Sequence, residues 1–281
     1  MSYRVPADRD DQSLERAGSS PDATAVLAAH VRSKSIDDPA ARSLVAAAGG
    51  VDESRFPREL VDHVVESVRV RTSFLDDVVM RSVRRGTSQI VILGSGLDTR
   101  PWRLPVPNHV HTYLVDRDGT AGFSSEVLGN SPYGQIRSVT VDVTQLHWSA
   151  KLVESGLNPD RRVLYIAEAL LVYLSASAAR NVAYESAGLG SPGSEFAFTY
   201  GKAQRNPDSL YSSLRKSVSE VGGEFKSAIS HPQSYIDGTG WTLSEVETYD
   251  TYRSKLPDIG DNPSAWTQGR EPSWLCLSAH Q

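Results

Sequence analysis

The sequence has a single cysteine, Cys276, so no disulfide can form within the chain and no cysteine-based metal cluster is possible. No apolar run approaches the length of a membrane span, so no membrane partner is expected. The opening stretch "MSYRVPADRDDQSLERAGSSPD" lacks the apolar centre of a secretory leader, and the expected location is cytoplasmic. Lysines and arginines are scattered rather than gathered, and the formal net charge is −5. That balance argues against a surface built for polyanions, so nucleic acid is not an expected partner. There is also no H-E-x-x-H, no Ser-His-Asp constellation and no clustered set of histidines and carboxylates, so no metal is expected.

The 281 residues are 39% hydrophobic and 22% charged, which suits one large soluble domain or a domain with an attached cap. Residues 1–22 are polar and without periodicity and read as a tail. Residues 23–86 read as a helical lid. "PDATAVLAAHVRSKSI" starts on Pro-Asp, "DPAARSLVAAAGG" starts on Asp-Pro and ends on Gly-Gly, and a third stretch runs from Phe56 to Gly86. In that third stretch Leu60, Val61, Val64, Val65 and Val68, then Leu75, Val78, Val79 and Val83, recur at helical spacing.

Residues 87–281 read as an α/β core. "QIVIL" (Gln89–Leu93), "HTYLVD" (His111–Asp116), "RSVTVDV" (Arg137–Val143), "RVLYIAEA" (Arg162–Ala169) and "SEFAFTY" (Ser194–Tyr200) are short β-rich runs separated by crossover lengths. That repetition predicts a parallel sheet covered on both faces. "WTLSEVETYDTY" and "SWLCLSAH" add two strands near the end.

The run "ILGSGLDTRPWRL" enters a glycine turn from the first strand. Gly94 and Gly96 match the first two glycines of G-x-G-x-x-G, but Thr99 takes the third position. In dinucleotide enzymes that turn carries a pyrophosphate at a helix N-terminus, where the carboxylate of Asp98 would repel it. S-adenosylmethionine shares the adenosine and replaces the pyrophosphate with a sulfonium amino acid, so it meets no such conflict. Asp116 follows Gly96 by about 20 residues at the end of the second strand, where an acid accepts the ribose hydroxyls. Asp142 and Glu168 also fall at strand ends; each alone also reads as a helix cap or a loop acid. Taken together, the three acids suit an extended adenosyl ligand lying across one edge of the sheet.

These motifs, with "RTSFLDD" before them, "YLVD", "TVDVTQLHW" and "IAEALLVYL", resemble the leucine carboxyl methyltransferase family and its bacterial small-molecule branch. The resemblance spans about residues 28 to 281 and is tightest in the LDTR turn and the AExxLxYL stretch. It implies a Rossmann-like class I methyltransferase: a mostly parallel seven-stranded sheet with an N-terminal helical lid. It also implies S-adenosyl-L-methionine as cofactor, S-adenosyl-L-homocysteine as product and no metal. Lys34 and Arg71 are implied to hold the methionine carboxylate, with Arg69 as the alternative arginine. Gly94, Ser95, Gly96 and Asp98 line the methionine segment. Asp116 and Arg117 are at the ribose, Asp142 and Val143 at the adenine, and Glu168 at the amino group.

An acceptor carboxylate is ionised at neutral pH and needs no general base, which fits a sequence lacking a base-orienter pair. Methylation of a small metabolite's carboxylate is therefore the expected reaction, of the kind that tailors natural products. A phenol or alcohol acceptor would need a base, for which His147 and His231 are the candidates. Tyr173, Tyr200 and Arg205 are the candidate acceptor contacts, two flanking rings and a carboxylate partner. An NAD-dependent oxidoreductase is disfavoured by Thr99 and Asp98. A protein that binds the cofactor without methylating stays open, and the sequence does not fix an oligomeric state.

Overall fold

A computed structural model describes residues 21–117, 120, 122–203, 210–257 and 273–280. Arg205 and most of the expected tail lie outside the described residues. The described residues begin with α1 (Ala23–Ser35), α2 (Pro39–Ala47) and α3 (Arg58–Arg84). Asp38 caps α2 by accepting the Ala41 N–H at 2.9 Å, and Pro39 stands where a missing N–H costs nothing. The helix stops at Gly49 and Gly50, both with positive φ. Asp22 differs from a capping residue. Only its carbonyl receives the first turn of α1, and its carboxylate pairs with Arg117.

The core strands are β1 (Gln89–Leu93), β2 (His111–Asp116), β3 (Gln135–Thr140), β4 (Val163–Ala167), β5 (Glu195–Gly201), β6 (Trp241–Thr248) and β7 (Ser273–His280). They form a seven-stranded sheet in the order β3-β2-β1-β4-β5-β7-β6. The first five are parallel, with Gln89 level with both His111 and Val163, while β7 runs antiparallel between β5 and β6. The connecting helices are α4 (Arg100–Arg103), α5 (Phe123–Leu128), α6 (Ala150–Glu154), α7 (Ala176–Gly188), α8 (Leu210–Glu220), α9 (Pro232–Ile236) and α10 (Tyr249–Arg253). Among the described residues no helix is long and apolar enough to cross a membrane.

β1 and β4 are buried along their whole length and β2 and β5 along most of theirs, as a parallel sheet covered on both faces requires, while the edge strands β3 and β6 are partly exposed. Val91, Leu93, Tyr113, Val115 and Tyr165 share one core with Ala179, Val182 and Ala183 of α7. Ile90, Ile92, Leu114, Leu164 and Ile166 face the other way, against Val70, Phe74, Leu75, Val78 and Val79 of α3. A third cluster joins Val26, Ala29, Leu44 and Val45 of the first two helices to Leu97 of the glycine turn.

Two strand ends differ from expectation for local reasons. The expected 137–143 strand ends at Thr140, and Asp142 Oδ1 then accepts both the Thr144 N–H and hydroxyl, folding the chain into a side-chain turn. β4 stops before Glu168, and Ala169 adopts φ 53°, a left-handed geometry incompatible with continued pairing.

Strand order reverses between β1 and β4. A crevice therefore opens above their carboxyl ends, where loops on neighbouring strands diverge.

Candidate functional site

A cleft of about 660 Å³ fills that crevice. Its floor is the turn after β1. Gly94 and Gly96 have φ of 58° and 50°, which favours glycine. A Cβ on Gly94 would lie 2.7 Å from Leu170 Cδ1, and one on Gly96 would lie 3.2 Å from Ala25 Cβ of α1. Both positions thus hold backbone close to a cavity wall. Ser95 is tied to β2 through its N–H and the Val115 carbonyl at 2.9 Å.

Asp116 ends β2 beside this turn. The Gly96 N–H donates to Asp116 Oδ2 at 2.6 Å, and the Arg117 N–H donates to Oδ1 at 2.8 Å. Burial nevertheless outweighs these bonds and raises the Asp116 pKa. Along the sheet, the loops after β3, β2, β1 and β4 present Asp142, Asp116, the glycine pair and Glu168, in that spatial order.

Beneath the cleft lies an ion-pair network centred on Arg100, which is 4% exposed. Its guanidinium donates to Asp76 Oδ1 at 2.8 Å and Glu168 Oε2 at 2.6 Å, and it pairs with Asp98. From the other side Arg71 Nε donates to Glu168 Oε1 at 2.9 Å. Burial pushes the Glu168 pKa up, but Arg100 and Arg71, helped by Arg32, outweigh it and hold the carboxyl at about 2.

The network corrects the reasoning about Asp98. It lines the cleft, but both of its oxygens are taken by Arg100, through the backbone N–H at 2.7 Å and the guanidinium. Its charge is therefore compensated by Arg100, so repulsion of a pyrophosphate is not what sets this turn apart. What makes the turn unlike a pyrophosphate cradle is the helix that follows: α4 is a single turn, too short for a developed N-terminal anion site. Thr99, in the third glycine position, is fully buried and donates its hydroxyl to Asp38, which also binds Arg32. The residue that replaces glycine thus fastens α1 and α2 to the turn.

Other expected residues fall into two groups. Arg71, Arg117, Val143, Tyr173 and Tyr200 line the cleft. The Tyr200 hydroxyl meets Ser227 Oγ at 2.8 Å, and Tyr173 packs edge-on against Phe225. Arg69 points away, to Glu66 at 2.6 Å and the Pro257 carbonyl at 3.2 Å, so of these two arginines Arg71 is the one on the cleft. Lys34 lies outside the cleft, partly exposed and paired with Glu53. Arg32, two residues earlier, lines it instead, bound to Asp38 and the Leu97 carbonyl.

Neither candidate base reaches the cleft. His147 is exposed, with φ 61° and its N–H on Glu185 at 2.6 Å. His231 is exposed too, and its Nδ1 caps α9 through the Gln233 N–H at 3.2 Å. The histidine that does line the cleft is His63 of α3, 4% exposed, which the sequence reading passed over together with Arg32 and Tyr249. The available signal was spacing: His63, Ser67 and Arg71 recur every fourth residue and so share a helix face. Among the described residues no group of three or more potential metal ligands stands together.

The family model of leucine carboxyl methyltransferase matches residues 22–186. A Mycobacterium marinum protein named "Putative S-adenosyl-L-methionine-dependent methyltransferase" is 35% identical over 68% of this chain and 70% of its own. A Mycobacterium avium protein of the same name is 32% identical over 84% of this chain and 89% of its own. Two crystal structures share the fold at low identity. One, described as a "putative methyltransferase" from Thermobifida fusca, has 19% identity and TM-score 0.58, covering 94% of this chain and 96% of that one. The other, a DUF574 family protein from Streptomyces avermitilis, has 14% identity and TM-score 0.62, covering 94% and 99%. The architecture is that of the Rossmann-like class I methyltransferases.

Proposed function

The chain belongs to the leucine carboxyl methyltransferase family, and from that premise we propose that it is an S-adenosylmethionine-dependent O-methyltransferase acting on a carboxylate of a small metabolite. The observation that carries this reading is the series Asp142, Asp116, Gly94–Gly96 and Glu168 on four neighbouring strand ends. That series fits the cofactor group by group. Asp116 accepts the ribose hydroxyls, and Asp142 with Val143 borders the adenine. The glycines clear room for the methionine segment. Glu168, kept ionised by its arginines, receives the ammonium, and Arg71 takes the carboxylate through its terminal nitrogens.

When bound, the sulfonium supplies an electrophilic methyl group whose positive charge is lost on transfer. The protein's share of the work is placement. The buried ion pairs fix Glu168 and Arg71 before any ligand arrives, so their arrangement costs no reorganisation during reaction. The α3 wall and the third helical cluster shield the site from water, which favours a charged oxygen attacking a charged sulfonium. An acceptor carboxylate arrives ionised, so no histidine is required at the reacting oxygen.

A hydroxyl acceptor is the second reading, and its support is His63, an imidazole on the cleft wall. The test is incubation with S-adenosylmethionine and panels of carboxylic acids and phenols, following S-adenosylhomocysteine release. Alkali-labile methyl esters are the expected products. Turnover confined to phenols, giving alkali-stable ethers, would favour the second reading.

A further inference from the structure

α3 contributes one continuous stripe to the cleft: His63, Val64, Ser67, Val68 and Arg71. Its lower end, Arg71, meets Glu168, where the reading above puts the amino acid end of the cofactor. Its upper end, His63, lies two helical turns away, about 12 Å along the axis. Between them the stripe is Val64 and Val68 with one hydroxyl from Ser67. Other walls of the same cleft carry Val218 and Val221, with Phe225 packed edge-on to Tyr173 at 5.2 Å between ring centres. The charged residues on that side, Glu224 and Lys226, are exposed at the rim. The space above Arg71 is therefore a mostly apolar channel with an imidazole set into its far wall.

An apolar channel selects for an apolar body, and a buried imidazole adds a directional hydrogen bond that hydrocarbon cannot satisfy. A site built to bond a polar group discriminates against analogues lacking it far more sharply than one reading size alone. Resting on the carboxyl methyltransferase reading, we propose that the acceptor is an elongated, largely apolar acid with a hydroxyl or similar group at its far end, read by His63. His63 then determines specificity and takes no part in the transfer of the methyl group.

The test uses the full chain saturated with S-adenosylhomocysteine and two probes, ω-hydroxydecanoic acid and decanoic acid. Fully extended, their ten-carbon chains are about as long as the α3 stripe that runs from the cofactor's amino acid end up to His63. Calorimetry should show wild type binding the hydroxy acid about tenfold more tightly, the worth of one hydrogen bond. His63→Leu should abolish that preference with S-adenosylhomocysteine affinity unchanged. His63→Gln, which keeps a hydrogen-bonding side chain, should retain part of it and serves also if the leucine variant does not fold. Equal binding of the two probes by wild type, failure of both to bind, or a preference that survives His63→Leu would each overturn the proposal. So would a His63→Gln enzyme that binds acceptor normally but loses several hundred-fold in turnover, since that marks a base. Failure to bind S-adenosylhomocysteine at all would strike the reading of the site itself.

Discussion

Arg71 and Glu168 are 97 residues apart in sequence, yet Arg71 Nε lies 2.9 Å from Glu168 Oε1. The pair joins a helix that precedes the sheet to the loop that follows its fourth strand. Each partner is a cofactor contact in the proposed function, so the bond that closes the fold also sets the site.

Acid should reveal the worth of that arrangement. The Glu168 carboxyl sits at about 2 against an ordinary 4.5, so its contribution to stability is full above pH 4.5 and is lost as pH falls through 2. The depression corresponds to roughly 3 kcal/mol. Glu168→Gln should be less stable than wild type by about that amount in urea at pH 7, and the gap should shrink towards pH 2. A gap independent of pH would show that the charge contributes nothing.

The placements of Lys34 and Arg71 separate two carboxylate-binding schemes. Arg71→Ala should weaken S-adenosylmethionine binding by about tenfold or more, since a charge-assisted pair is lost from a shielded wall. Lys34→Ala removes only a partly exposed pair with Glu53 and should leave the dissociation constant within about twofold. Calorimetry showing the reverse order would return Lys34 to the site.

Asp116 serves both backbone and ligand. In Asp116→Asn one amide oxygen can still accept from Gly96, but the NH2 end then confronts the Arg117 N–H. Affinity for S-adenosylmethionine should fall by about 1.5–3 kcal/mol. An unchanged affinity in a folded variant would place the ribose elsewhere.

Glycine substitutions should divide strain from contact. Gly96→Ala and Gly49→Ala both force alanine into positive φ, costing about 1 kcal/mol of stability each. Only at Gly96 does the new methyl meet a neighbour, Ala25, so only that variant should also lose cofactor affinity. Thermal melts with and without S-adenosylmethionine distinguish the two effects.

Neither His147 nor His231 should matter to turnover. With an acceptor found by screening, His147→Gly and His231→Asn should stay within a few-fold of wild type, whereas a general base contributes about 10²–10⁴-fold. The substitutions suit the left-handed backbone of the one and the capping role of the other. A loss of several hundred-fold in either would contradict their placement outside the cleft.

Much of the frame was legible because it rests on local rules. "QIVIL" and "HTYLVD" match β1 and β2 residue for residue, since apolar β-rich runs between turn residues leave little choice. Of the three acids only Asp116 ends its strand as expected, while Asp142 and Glu168 stand in the turns past strands that stop at Thr140 and Ala167. α1 was harder. It is rich in alanine and lacks a strong apolar stripe, and residues two apart point to different sides, so sequence did not show that Arg32 rather than Lys34 faces the cleft. His63 was hidden by company, lying between Asp62 and Val64 on a helix with charges on its exposed side. Asp98 was legible in position but not in partner, because its neutralisation depends on the neighbouring Arg100 turning back onto it.

α3 runs 27 residues without a glycine or proline, a rod of about 40 Å with no built-in hinge. Its second half is clamped into the core beneath the sheet by Phe74, Leu75, Val78 and Val79, while its first half walls the cleft. That half is itself held, by buried Leu60, Val68 and Val70 and by the Ser35 hydroxyl on the Val65 carbonyl at 2.7 Å, and cannot swing without bending a continuous helix or unseating buried side chains. For an engineer the division is useful: His63, Val64 and Ser67 face the cleft and are the positions at which to reshape it, whereas Glu66, paired with Arg69 and Arg253, and the buried Val68 hold the helix in place.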